Sequence, residues 1–228
     1  MLLREDFVVM RIVSVNVGLP REIARGDDIV RTGIFKQPIV GRVVLRRLNL
    51  AGDAQADLSV HGGADKAVYA YPFENYAYWR EQLPGRELPL GIFGENLTIE
   101  GLCEDAVHIG DELRIGTARL VLTQPRLPCF KLGIRFGDPD MVARFLAGNR
   151  PGFYLAVLEE GEVGTGDAVE LVREDENRLT VTELFRLMVH DKTNVDLMRR
   201  ALRVRHLAAV LRKKFESRLK ESESGGAS

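Results

Sequence analysis

Cysteine is nearly missing from this chain, with two in 228 residues. Two cannot build a disulfide framework, so stability must come from a buried core, and the scarcity fits a reducing compartment. No uninterrupted apolar run approaches the roughly eighteen residues of a membrane span. Neither charge predominates: 32 Lys and Arg face 33 Asp and Glu, for a formal net charge of −1. That excludes a globally basic nucleic-acid binder but leaves room for a local basic patch. Familiar site signatures are also lacking. The four histidines, at 61, 108, 190 and 206, show no metal-ligand spacing, and the cysteines are unpaired in sequence. There is no Gly-x-Ser-x-Gly elbow and no flavin, haem or iron–sulfur motif. Met1 to Asp6 carries acids where a secretory leader has its apolar stretch, so the expected compartment is the cytoplasm.

What is present is an ordinary globular mixture, 45% apolar and 29% charged, which excludes a disordered chain, a collagen-like fibre and a coiled-coil rod. The length allows one large domain, or a medium one with a small accessory unit. Residues 1–9 read as an extension. From Arg11 to about residue 175 the chain reads as short strands and turns. Arg11 to Gly18 alternates like a half-buried strand, Val107 to Gly116 reads as two short strands around a Gly-Asp turn, and Thr117 to Leu122 and Tyr154 to Leu158 continue the pattern. Gly-Asp recurs at 52–53, 110–111 and 166–167, where Gly supplies positive φ and Asp a local hydrogen bond. Two helices interrupt: Pro72 to Gln82, with proline at its first position, and Pro139 to Ala147. Many short strands with few helices predict a closed or strongly curved sheet.

The period becomes helical after a charged linker, Arg173 to Arg178. Thr180 with Glu183 forms a capping-box pattern, Asn194 can cap a second helix, and Leu207, Leu211, Phe215 and Leu219 mark a third. Three short amphipathic helices need one another or the β unit for stability. The predicted organisation is therefore an extension (1–9), a β domain (10–175), a three-helix unit (176–220) and a polar, disordered tail (221–228).

Three stretches could carry chemistry. In Thr123-Gln124-Pro125-Arg126-Leu127-Pro128-Cys129-Phe130-Lys131-Leu132, two prolines predict a stiff, extended loop. Arg126 and Lys131 flank Cys129, and nearby cations favour the thiolate, the form that attacks electrophiles and binds soft metals. A buried structural cysteine is the plain alternative, and local chemistry leaves both open. Cys103, near Glu100, Glu104 and Asp105, has the opposite surroundings and reads as structural. In His61-Gly62-Gly63-Ala64-Asp65-Lys66, backbone N–H groups and a lysine could hold a phosphate. Its spacing is not that of a P-loop, and an ordinary turn with a surface lysine fits equally. In Gly94-Glu95-Asn96, glycine permits a close approach beside an acid and an amide; a turn entering a strand is the alternative. Asp53 and Asp57 could pair as carboxylates, although solvated turn acids are the simpler reading.

Taken in order, His-Gly-Gly-x-Asp-Lys-Ala-Val, Gly-Glu-Asn-Leu-Thr and Gln-Pro-Arg-x-Pro-Cys-x-Lys-Leu resemble the MOSC family, domains similar to the C-terminal part of molybdenum cofactor sulfurase. The likeness runs from about Val13 to Leu219 and is to the YiiM type, which adds a C-terminal three-helix segment. The resemblance implies a mainly β, barrel-like fold followed by a small three-helix bundle. It implies binding of molybdenum cofactor, with Cys129 as metal ligand and catalytic residue. His61, Gly62, Gly63, Lys66, Glu95, Asn96, Arg126 and Lys131 would form the cofactor's surroundings. It also implies reduction of N-hydroxylated compounds such as hydroxylaminopurines, with electrons from a separate reductase. The other readings are a sulfur or cofactor carrier using a Cys129 persulfide, and nucleic-acid binding by the basic run Arg199 to Lys220, which carries nine Lys and Arg against Glu216 alone. The run's one aromatic, Phe215, belongs to the apolar stripe of the third helix, which favours a solvated charged face over a nucleic-acid partner. The chain is expected to be a monomer or homodimer.

Overall fold

The computed structural model describes residues 10–56 and 62–225. The chain runs β1 (Arg11–Val17), β2 (Arg21–Arg25), β3 (Asp28–Thr32), β4 (Gln37–Pro38), β5 (Arg42–Leu45), β6 (Val68–Pro72), α1 (Asn75–Gln82), β7 (Leu97–Glu100), β8 (Glu112–Ile115), β9 (Ala118–Pro125), α2 (Phe130–Phe136), α3 (Met141–Gly148), β10 (Phe153–Glu159), β11 (Gly161–Gly164), β12 (Val169–Arg173), α4 (Val181–Val189), α5 (Val195–Arg203) and α6 (Ala209–Gly225). Eight strands form one sheet in the order β12-β8-β9-β10-β6-β7-β1-β4, and β5–β11 and β2–β3 form separate pairs.

The expected closed barrel is not found among the described residues; the large sheet is open in its ladder order. Its ends nevertheless approach. Arg11 bridges Ala168, Ile12 N–H donates to Asp167 O at 2.9 Å, and Val169 N–H donates to Met10 O at 2.8 Å. The sheet therefore curls until β1 meets the segment entering β12, but β1 spends its other end on β4.

Every pairing in the large sheet is antiparallel except β6–β7. A parallel pair needs a crossover, and α1 supplies it. This overturns the reading of Pro72 as the first helical residue. Val68 to Pro72 is buried throughout and pairs in parallel with Leu97 to Ile99, as apolar runs covered on both faces do. The helix starts only at Asn75. Likewise, Val107 to Gly116 yields one strand, β8, with turns before it.

Two apolar cores follow. One lies inside the sheet and takes in Ile12, Val15, Leu97, Leu113, Leu120 and Leu155; it also includes Leu184, Leu187, Met198, Leu211 and Phe215 from α4 to α6. The C-terminal helices thus bury their apolar stripes against the sheet as well as one another, at roughly 1.5–3 kcal/mol per fully buried large side chain. The other core is aromatic. Tyr71, Tyr76, Trp79, Phe93, Phe136 and Phe145 pack between α1, α2 and α3, with Trp79 stacked on Phe145 at 5.7 Å.

Thr180 and Glu183 form the expected capping box, and Asn194 caps α5. Helix α6 runs to Gly225, into the stretch read as a disordered tail. Part of the basic run is structural: Arg200 donates to Asn177 O and Glu183, and Arg212 to Leu202 O and Val204 O. No described helix is long and apolar enough to cross a membrane.

Candidate active site

A cleft lies where the start of β6 and the end of β9 meet the aromatic core. All three motifs reach it: Lys66 from the first, Gly94 and Asn96 from the second, Arg126, Cys129 and Lys131 from the third. Thr32 to Ile34 and Lys36, Asp53 to Ala56, and Tyr69 and Tyr154 complete the walls. Sequence reasoning singled out neither Lys36 nor Gln55 nor the tyrosines. His61 and Asp57 lie outside the described residues. Gly62, Gly63 and Glu95 are not among the lining residues, and Gly63 N–H is spent on Gln55 Oε1 at 2.8 Å.

Gly94 explains how its loop comes so close. Its φ is +84°, and a Cβ there would lie 2.7 Å from Ile34 Cγ1, so only glycine fits both the turn and the neighbour. Of the Gly-Asp turns, Asp111 and Asp167 make the expected local bonds, accepting from His108 N–H and Gly164 N–H, each at 2.9 Å. Asp53 departs from that pattern and from its reading as a solvated acid. It is 9% exposed. Oδ1 accepts from Lys36 Nζ at 2.5 Å and from Gly18 N–H at 3.1 Å, and Oδ2 accepts from Asn96 Nδ2 at 2.8 Å. Asn96 Oδ1 in turn accepts from Tyr69 N–H at 3.1 Å. Asp53 and Asn96 thereby fix Lys36, 8% exposed, in the cleft wall. Burial pushes the Lys36 ammonium below its ordinary pKa, while Asp53 pulls it back up.

The third motif is not one extended loop. Strand β9 runs through Pro125, and α2 begins at Phe130 and ends at Gly137, whose φ is +60°. Cys129 is the residue before α2, in extended conformation. Arg126 is buried and donates to Phe93 O at 2.7 Å, with its guanidinium 4.7 Å from the Tyr69 ring centre and 5.4 Å from that of Phe145. Burial holds the Tyr69 and Tyr154 phenols above their ordinary pKa and so neutral. The lining therefore holds four cations, Lys36, Lys66, Arg126 and Lys131, against one carboxylate that is already paired. Such a cleft suits a multiply charged anion beside a thiol.

Glu95 sits beneath the wall, fully buried. Tyr76 OH, Gly91 N–H and Thr98 OH all donate to Oε1, while Oε2 has no partner among the described residues. Burial raises its pKa above 4.5, partly offset by those hydrogen bonds. A raised carboxyl pKa gives stability that is complete below the unfolded value and is lost as pH rises through the folded one. Glu95→Gln keeps the Oε1 acceptor and cannot ionise. Denaturation midpoints at pH 4 and pH 8 are expected to show the variant gaining on the wild type as pH rises; a constant gap would contradict this.

Cys103 is set as its acidic neighbours predict. Burial first, then Glu74, Glu104 and Asp105, push the Cys103 thiol up to about 11. At pH 8 only about one molecule in a thousand would carry its thiolate. Iodoacetamide at pH 8 is therefore expected to label Cys129, read by peptide mass spectrometry, long before Cys103. Equal labelling would refute this assignment of roles.

Residues 57–170 match the MOSC domain, and residues 179–221 match the YiiM-like 3-alpha helix domain. The chain belongs to the MOSC family. Its relatives in that family include the uncharacterized protein YflK of Bacillus subtilis, 41% identical over 90% of this chain and 92% of that one. A protein of Gibberella moniliformis named Reductase is 30% identical over 82% of this chain but only 34% of its own length. Among solved structures, YiiM from Geobacillus stearothermophilus superposes with a TM-score of 0.78 at 34% identity, covering 92% of this chain and 99% of that one. The MOSC match and the helical match divide the chain near the linker that precedes α4.

Proposed function

We propose that this MOSC protein binds molybdenum cofactor in the cleft and reduces N-hydroxylated compounds, hydroxylaminopurines among them, with Cys129 as the metal's protein ligand. The observation that carries the reading is the convergence of a thiol and four cations on one cleft from segments far apart in sequence. The residues fit the group. Cys129 is the soft donor among the described lining residues, which suits a metal whose other ligands come with its cofactor, as in a pterin dithiolene. A thiolate suits a soft metal centre, and Lys66, Arg126 and Lys131 suit a pterin's phosphate.

Conversion of R–NHOH to R–NH2 and water takes two electrons and two protons. The bound cofactor supplies the two-electron change. The chain's own residues bind and orient. Lys66 and Lys131 would attract the phosphate, and Arg126, locked by Phe93 O and two aromatic rings, would hold a fixed charge in the same cleft. Lys36, anchored by Asp53, holds a proton at Nζ in the cleft wall. Electrons come from a separate reductase; that the Gibberella Reductase extends well beyond its matching third supports a module served by another. The test is reduction of 6-hydroxylaminopurine by cofactor-loaded protein with dithionite-reduced viologen, followed by chromatography. Adenine should form; none from protein shown to contain molybdenum would end the proposal. A Cys129 persulfide carrier is the second reading, favoured by the single cysteine in the cleft, and a stable added sulfur on Cys129 without reductase activity would establish it.

A further inference from the structure

We infer that the C-terminal helices belong to the machinery of the cleft, and that Asp65 is the positioning residue through which α6 holds Lys66 in place. The inference rests on the reading of the cleft as a site for a phosphate-bearing ligand.

Helix α6 begins at Ala209, after Leu207 and Ala208. Neither preceding side chain can cap it, yet the first N–H groups of a helix need acceptors. The acceptor comes from elsewhere: Ala209 N–H donates to Asp65 Oδ2 at 2.8 Å, across 144 residues of sequence. Two more bonds complete the junction. Thr123 OH of β9 donates to Asp65 O at 2.6 Å, and Ala208 N–H donates to Thr123 O at 3.2 Å. The 3₁₀ turn Ala64–Lys66, strand β9 and the start of α6 are thus tied at one point.

The opposite side of the turn is held by Gln55, a wall residue of the cleft. Its Nε2 donates to Lys66 O at 3.2 Å and Gly63 O at 3.3 Å, while Oε1 accepts from Gly63 N–H. Among the described residues, the turn's own backbone bonds are Lys66 N–H to Gly63 O at 3.1 Å and Ala67 N–H to Ala64 O at 3.3 Å. So short a turn takes its shape from what grips it. Consecutive side chains then diverge: Asp65 faces a groove shared with Arg205 and Arg212, and Lys66 lines the cleft.

Hydrogen exchange on the full chain reads the coupling directly. Asp65→Ala should speed exchange about fivefold across residues 62–67 as well as in the first turn of α6, the size expected for loss of a cap, and Asp65→Asn, which keeps an acceptor oxygen, should restore both. A second arm measures how much inorganic phosphate protects Cys129 from iodoacetamide. Asp65→Ala and Lys66→Ala should each raise the protecting concentration about fivefold, and the double variant should match Lys66→Ala alone, because the two act as one unit. Faster exchange confined to α6, or additive losses in the double variant, would overturn the inference. Failure of phosphate to protect the wild type would instead count against the phosphate reading of the cleft, and the exchange arm would still decide the coupling.

Discussion

Replacing Cys129 with alanine is expected to lower the proposed reduction of N-hydroxylated substrate to below about one hundredth of the wild-type rate. Changes to groups that merely orient a metal's ligands cost about 10–100-fold, and a lost ligand exceeds that. The substitution is otherwise mild. Cys129 is half-buried, precedes α2 in extended conformation, and supplies its main-chain oxygen to Leu132 N–H at 2.9 Å, a bond that alanine retains. The thermal midpoint should therefore stay close to that of the wild type. Near-normal turnover by folded Cys129→Ala would remove the cysteine from the mechanism.

Asp53→Asn carries the largest expected effect on stability. The carboxylate holds Lys36, Gly18 N–H and Asn96 at once, and both members of the ion pair are buried. Removing one partner from a buried pair costs about 3–5 kcal/mol, since the other charge is left without compensation. Burial already draws the Lys36 pKa down, so losing Asp53 drives that lysine toward its neutral form, which bounds the loss. Adding Lys36→Met should recover part of the stability by removing the stranded cation. The pair of substitutions separates two roles: stability returns in part in the double variant, while anion affinity does not. Urea denaturation of the wild type and the two variants checks the first, and phosphate protection of Cys129 the second. If Asp53→Asn is as stable as the wild type, the dyad is not what holds this wall together.

The parts of the fold legible in sequence were those with local causes. The Thr180–Glu183 box closes in both directions, with Glu183 N–H to Thr180 Oγ1 at 3.0 Å and Thr180 N–H to Glu183 Oε2 at 2.9 Å. The helix read as Pro139 to Ala147 forms as Met141–Gly148 and stops one residue later than expected, at the left-handed Asn149, whereas α2 was hidden by the prolines that precede it. Pro72 shows the opposite case. A sound local signal for a helix start lost to a parallel strand pairing made with residues 97–99.

The site divides in the same way. Cys129, Arg126, Lys131, Lys66 and Asn96 stood out because short motifs surround them, and the resemblance told which motifs belong together. Glu95 stood out equally but is turned to Tyr76 and Thr98 under the wall. Lys36 had no local mark. Its importance arises from a partner 17 residues away, and only the folded chain shows that the partner is buried. Asp53 was visible as one of three Gly-Asp turns, and what sets it apart is that, among the described residues, both its oxygens accept from distant groups and neither from its own turn.

The central claim is that Cys129 and the surrounding cations hold a molybdenum centre. Metal analysis by mass spectrometry tests it most directly, on wild type and Cys129→Ala produced in a molybdate-fed, cofactor-competent host beside a known molybdoenzyme. The account predicts near-stoichiometric molybdenum in the wild type and its loss or marked decrease in the variant. Equal molybdenum in both, or none in the wild type while the control is fully loaded, would contradict it.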